Sequence, residues 1–319
     1  MTIKEYEFYA SEIPALEKML AETPEEDVID RMSLEARLKK VRASIEGIDP
    51  AMLPKTARLT FRGAPVFGSH GVAADFAGKA ADLFADAFAA IVAGTSENLR
   101  YMGPIPDKQK NQLLITGTAL GSFGFEFELP APEQPKDSTQ AELDLAMSSG
   151  TPPSKTDDAM MKLERLFQST AEGTDDDVAD LLEEVHPRAV KKVADFLGYI
   201  SAQDAWCGLE FNEACFRFSG REQVESSAKR LACDNVKETA ESFTGEFQGA
   251  LPAGRTFEFK LNNQKGILRG KISPDVLDVN KINHEYLYKP ASISLKVIQV
   301  GQGRPRYTLE KLEDVKLAA

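Results

Sequence analysis

Apolar positions recur along this chain with two periods, and the switches between them mark its organisation. Residues 11–46 read as helix, break, helix. Leu34, Leu38, Val41 and Ile45 fall on one helical face, with Val28 and Met32 leading into it. Thr23-Pro24-Glu25-Glu26 reads as the start of the second helix, with a hydroxyl cap, Pro at the first position and Glu at the third. The expected element is an antiparallel helical hairpin over residues 1–50. Its apolar seam is open to two uses: packing within the chain, or serving as an arm for a second copy or a partner.

The clearest unit lies in residues 51–130. "ARLTFRGAPV" reads as a short strand ending at a Gly-Ala-Pro turn. Val72, Phe76, Ala80, Leu83, Phe84, Ala87, Phe88 and Ile91 then line one side of a long amphipathic helix, with Gly94 as a candidate left-handed stop. "QLLITGTAL" and "SFGFEFEL" follow as two strands joined around Gly121. In the second, Phe123, Phe125, Phe127 and Leu129 alternate with Ser122, Gly124, Glu126 and Glu128, the period of a half-buried strand. The Phe row is expected under the long helix. Gly124 leaves a bare spot on the polar face, so Ser122, Gly124 and Glu126 mark a surface that a neighbouring backbone or a ligand can approach closely.

Residues 131–156 are rich in Pro, Ser, Thr and Asp and read as an acidic linker. Residues 157–242 read as a mixed domain. Helices cover "DDAMMKLERLFQSTAEG", "TDDDVADLLEEV" with Thr174 as cap, and "HPRAVKKVADFLGYI". Strand-like residues 206–219 follow, then a helix from about Glu222 to Glu241 carrying Val224, Ala228, Leu231 and Val236. Residues 243–319 read as a small barrel with strands at 246–251, 255–261, 266–272, 291–300 and 305–310. Gly254, Asn262-Asn263 and Gly301-Gln302-Gly303 mark its turns, and a long connection sits between the third and fourth strands. Five short strands in that order describe an OB-like barrel, with an SH3-like barrel as the alternative. The expected class is therefore α+β: helical hairpin, β-α-β-β layer, mixed middle region and C-terminal barrel.

Charge changes this picture in one place. The net charge of −12 is concentrated in residues 131–190, with 14 acids against 5 bases, whereas residues 243–319 carry 8 acids against 12 bases. An acidic chain does not coat nucleic acid over its whole surface, so the barrel is the one region that welcomes phosphate. Cys207, Cys215 and Cys233 form no C-x-x-C pair, and no apolar run reaches membrane-spanning length. The N-terminal residues lack the pattern of a secretory signal. These features predict a cytoplasmic protein without membrane contact.

Candidate chemistry is sparse. His70, His186 and His284 sit in no nucleophile or metalloprotease signature and read as turn, helix-junction and surface residues. Asp175-Asp176-Asp177 cannot face one point on a helix and reads as a solvated helix start, and no cysteine or histidine spacing suits zinc, so neither metal nor cofactor is expected. "GTALGSFG" matches no phosphate loop in a strand-to-helix setting. What remains is Arg269, Lys271, Arg304, Arg306 and Tyr307 in the barrel, with Tyr286 and Tyr288 nearby. Cations for phosphates interleaved with rings for stacking are the ingredients of a single-strand surface.

The runs "RLTFRGAP" and "QLLITGTALGSFGFEFE", with the Ala-rich helix between them, resemble uncharacterised bacterial proteins. Some of these are encoded in phage-defence or mobile-element gene neighbourhoods. The resemblance covers residues 57–128, with a further C-terminal pattern in "GRTFEF" and "GRPRYTL". It implies a part in a bacterial defence complex and assigns no activity to any residue. The expectation is a non-catalytic interaction or sensor component whose partner is a second copy or an operon-encoded protein. The alternatives are a nucleic-acid sensor acting through the barrel, and a metal-dependent hydrolase whose dispersed carboxylates converge only in the fold.

Overall fold

The computed structural model describes residues 1–95, 99–100, 102–119, 123–132, 154–232, 234–262 and 266–317. In chain order the helices are α1 (Ile3–Glu22), α2 (Val28–Ile45), α3 (Ala74–Thr95), α4 (Lys155–Glu172), α5 (Asp175–Leu182), α6 (Pro187–Ala202), α7 (Arg221–Arg230) and α8 (Asn280–Tyr286). The strands are β1 (Thr56–Gly63), β2 (Val66–Phe67), β3 (Gly71–Val72), β4 (Leu114–Thr118), β5 (Gly124–Glu128), β6 (Ala205–Phe211) and β7 (Ala214–Arg217). They continue as β8 (Val236–Leu251), β9 (Thr256–Leu261), β10 (Ile267–Ile272), β11 (Pro290–Val300), β12 (Arg306–Leu309) and β13 (Val315–Leu317). This is an α+β protein. Its chain divides into two compact units, residues 1–165 with 199–222, and residues 166–198 with 223–319.

The first unit is built on an antiparallel five-stranded sheet in the order β4-β5-β1-β6-β7. Alternation along β1 places Leu59 and Phe61 in the core and Arg58, Thr60 and Arg62 on the other face. Helix α3 covers the apolar face. Phe61 meets Phe76 edge-on at 5.3 Å, and Phe84 stacks on Phe127 at 5.3 Å. The expected strand-helix-strand-strand order is present, and β6 and β7 extend the sheet from residues far along the chain. Residues 206–219, read as part of a separate mixed domain, thus join this sheet: β6 pairs with β1, with Leu59 opposite Leu209 and Phe61 opposite Cys207, and β7 pairs with β6. Gly94 carries no left-handed backbone, and the Thr95 hydroxyl donates to the Val92 carbonyl at the end of α3 instead.

The hairpin differs from its expected boundaries. Helix α1 begins at Ile3, where Thr2 and Glu5 form a capping box. Thr23 ends α1 rather than starting α2, because its hydroxyl donates to the Met19 carbonyl at 2.7 Å. Asp27 precedes the first turn of α2. The Arg31 guanidinium donates to the carbonyls of Leu20 and Thr23, which folds α2 back along α1.

The second unit closes a five-stranded barrel in the ring order β8-β9-β10-β12-β11, with β13 added to β11. The pairing of β10 with β12 is parallel and every other pairing in the ring is antiparallel. Helix α8 lies in the connection between the third and fourth barrel strands. That ring order and inserted helix match the OB-like arrangement. Phe247, Phe257, Phe259, Ile282, Ile293 and Leu309 fill its interior. Four of the five expected strands fall within one or two residues of their positions. The exception is β8, which starts at Val236, so residues 236–241 are strand and not helix. Asn235 donates to the Arg230 carbonyl, and β8 then pairs with β11 from Val236 opposite Val300 to Glu246 opposite Pro290. In the helical part of this unit, Phe167 and Phe196 stack at 5.8 Å. Among the described residues no helix is long and apolar enough to cross a membrane. Residues 133–153 of the expected linker lie outside the described residues.

Candidate interaction surfaces

The outer face of the barrel gathers several cations named from sequence. Along β10, Leu268 and Ile272 point inward, so Arg269 and Lys271 point outward. On β12, Leu309 points inward beside Ile272, which turns Thr308 and Arg306 outward beside Lys271. Each of these cations has an acidic partner within its unit. Arg269 pairs with Glu258 at 2.8 Å across the β9–β10 ladder. Lys271 lies 2.6 Å from Glu183, whose side chain is buried. Arg306 donates to Asp180 at 2.5 Å and lies 3.8 Å from Asp176. The hydrogen bond to Asp180 and the surrounding carboxylates hold the Arg306 guanidinium above its ordinary pKa.

The acidic run at the start of α5 is not merely solvated. Asp175 accepts from the Arg230 guanidinium at 2.8 Å and from the backbone N–H of Gln302 at 3.4 Å. Asp176 accepts from the backbone N–H of Arg304 at 2.8 Å. Asp177 forms the capping box with Thr174, and those hydrogen bonds lower its pKa. Gly301, at a φ of 53°, brings the β11–β12 turn so close that a Cβ there would lie 2.5 Å from the Asp175 carboxylate. The β8–β9 turn is tied as well. Arg255 donates to the carbonyls of Ile272, Ser273 and Val276. No residue-type pattern announced Arg255. Only its left-handed backbone next to Gly254 hints at a fixed turn.

The aromatic half of a stacking surface is not assembled. Tyr307 packs edge-on against Phe243 at 5.6 Å and Tyr286 packs against the barrel core, so burial raises the Tyr307 pKa. Tyr288 is exposed after α8 and donates its backbone N–H to the Phe247 carbonyl at 3.0 Å. The Arg304 side chain is exposed at the β11–β12 turn.

The hairpin seam is filled from within. Leu38 and Val41 are buried against Leu16, with Leu34, Tyr9 and Ile13 packed around them, and Ile45 is half-buried. Arg37 forks onto Glu12 at 2.7 Å and Arg42 reaches Glu17 at 2.5 Å. The outward face of α2 is different. Ile29 and Met32 are 83% and 64% exposed, with Val28 beside them and Met19 exposed on α1. Val28 and Met32, expected to lead into the seam, face away from it.

On the sheet, Gly124 is close to a backbone. A Cβ there would lie 2.1 Å from the Leu59 carbonyl oxygen and 2.6 Å from the Thr60 Cα. The neighbouring strand therefore takes the space that a ligand would need. Glu126 bonds to Arg58 at 3.0 Å, and Arg58 also reaches Glu210 at 3.7 Å. Ser122 lies outside the described residues.

The remaining chemistry-bearing residues stand apart. His70 is exposed in the turn between β2 and β3. The His186 Nδ1 accepts from the Arg188 backbone N–H at 3.1 Å, and burial lowers its pKa. His284 is exposed on α8. Cys207 is buried, which pushes its thiol pKa up, whereas Cys215 is exposed. Cys233 lies outside the described residues. Among the described residues, no three His, Cys, Asp or Glu side chains are placed to hold a metal ion. No protein-family model, no curated protein and no solved structure matches this chain.

Proposed function

We propose that this protein is a non-catalytic component of a bacterial multi-protein system that works by protein–protein contact, with the α1–α2 hairpin as its docking arm. The observation that carries the reading is the outward apolar face at the hairpin turn. Val28, Ile29 and Met32 cover the outside of the first turn of α2, and Ile29 is 83% exposed. The inner seam is already satisfied by Leu16, Leu38 and Val41, so these outer residues are not needed to hold the two helices together. Exposed apolar side chains grouped on one helix face mark interaction surfaces. The expected likeness of residues 57–128 to uncharacterised bacterial proteins, some of them encoded in phage-defence or mobile-element neighbourhoods, is the ground for proposing an operon-encoded partner in the cytoplasm.

The barrel has a different place in this reading. Arg269, Lys271 and Arg306 are engaged by Glu258, by Glu183 at the end of α5 and by Asp180 on α5, and two of the barrel's tyrosines pack inward. It serves as a scaffold that docks acidic protein surface, as it already does with α5.

Co-expression with the products of the neighbouring genes tests the arm. The wild-type chain should co-purify with one of them. Ile29→Glu combined with Met32→Glu should abolish that complex while leaving the circular dichroism spectrum and unfolding midpoint unchanged. Retention of the partner by the double variant, or no partner for the wild type, overturns the proposal.

A further inference from the structure

We infer that the protein partner of the α1–α2 hairpin presents an apolar groove bordered by lysines or arginines. The inference rests on the reading of the hairpin as a docking arm and adds the chemistry of what it docks on.

Val28, Ile29 and Met32 form the apolar centre of the outward face, and exposed acids surround them. Residues 22–35 carry six acids against one base. That base is Arg31, whose guanidinium is turned back onto the carbonyls of Leu20 and Thr23. Along the rest of the hairpin, acids are matched by cations: Glu12 by Arg37, Glu17 by Arg42 and Glu22 by Lys18. At the tip they are not. Glu25, Glu26, Asp27, Asp30 and Glu35 are all exposed and make no ion pair among the described residues. This acidic collar ends at Lys39 and Lys40, which are exposed on α2. The contact therefore covers the hairpin turn and the first two turns of α2, about 11 Å of helix.

The charge selects the occupant. A second copy of this chain would bring one acidic collar against another, and like charges face to face are costly at an interface. The phosphates of nucleic acid and of anionic lipid are repelled for the same reason. A protein groove with cations on its rim compensates the carboxylates while it covers Val28, Ile29 and Met32. That is helix-in-groove recognition, with apolar anchors supplying affinity and rim charges setting rate and orientation. The collar also turns away grooves whose rims are acidic.

Association kinetics with the neighbouring gene product that co-purifies with the wild-type chain test this. Association should slow about tenfold or more between about 50 and 500 mM NaCl. Glu25→Lys/Glu26→Lys lies in the turn outside both helices. It should slow association about tenfold at the lower salt while the dissociation rate changes little. Glu213→Lys/Glu313→Lys makes the same change in net charge at two exposed acids away from the hairpin, and should leave both rates as they are. Both variants should keep the wild-type unfolding midpoint. A complex that depends on Ile29 and Met32, yet forms at a rate indifferent to salt and to Glu25→Lys/Glu26→Lys, overturns this inference and leaves the docking arm standing. Absence of any partner, or a partner held without Ile29 and Met32, overturns both. A chain that dimerises by itself through Ile29 and Met32 assigns the face to a second copy and overturns the inference as well.

Discussion

Replacing Gly124 by alanine should unfold the first unit far more easily than a single methyl group suggests. A Cβ at this position would sit 2.1 Å from the Leu59 carbonyl oxygen and 2.6 Å from the Thr60 Cα, and both contacts are strand backbone. Carbon and oxygen approach comfortably to about 3.3 Å, so β5 must back away from β1 by about 1 Å. The bond from the Phe61 N–H to the Phe123 carbonyl is 2.8 Å long, and a retreat of that size takes it beyond bonding range. Losing two ladder bonds costs about 2 kcal/mol. Disturbing the packing of Phe61 against Phe125 adds about 1 kcal/mol or more. The gain from a stiffer unfolded chain is below about 1 kcal/mol and does not offset this. Gly124→Ala should therefore lose about 3 kcal/mol in urea unfolding, or roughly 6–12 °C in melting temperature for a unit of this size. Gly78→Ala is the matched control. Gly78 is exposed in α3 with nothing within 4 Å of its missing Cβ, and it should gain about 0.5–1 kcal/mol. A Gly124→Ala protein within about 0.5 kcal/mol of wild type would falsify the claim that backbone, and not open space, faces this residue.

Three further outcomes follow from the same geometry. Burial raises the carboxyl pKa of Glu164, so folding disfavours its ionised form, and stability falls as pH rises through the carboxylate range; Glu164→Gln should raise the melting temperature at pH 7 and not at pH 3. Burial lowers the His186 pKa below its ordinary 6.5, so the folded state releases that proton and stability is lost as pH falls from 6.5 toward the lowered value. His186→Asn, which keeps an acceptor for the Arg188 N–H, should remove that part of the pH slope in thermal melts. A double-mutant cycle of Asp180→Ala and Arg306→Ala should give a coupling below about 1 kcal/mol that shrinks in high salt, because the Asp180 side chain is 59% exposed.

Much of the barrel was legible because its turns carry residues that few other structures want. Gly254 and Gly301-Gln302-Gly303 delimit strands that the structure places within a residue or two of their expected limits. The first half of β8 was illegible for a physical reason. Residues 237–242 are exposed, so no alternation of apolar side chains exists to report the strand. The ladder to β11, more than 50 residues away, decides its state. Thr23 shows the limit of a local signature. Its hydroxyl can serve the helix before it or the helix after it, and only the tertiary fold chooses. The partnership of β6 with β1 joins residues about 150 apart, and no local period encodes it. The barrel cations were visible as residue types, but their acidic partners on α5 were not, since pairing across some 126 residues leaves no trace in spacing.

That last separation bears on how the chain matures. During synthesis, α5 is complete long before Arg306 and the N–H groups of Gln302 and Arg304 exist to meet its carboxylates. Until then Asp175 has Arg230 to meet it, and Asp176 and Asp180 await their later partners. The fifth barrel strand closes the ring against β10 and β11 and, in the same step, brings Arg306 to Asp176 and Asp180. Barrel closure and the pairing of these two acids are therefore one late event.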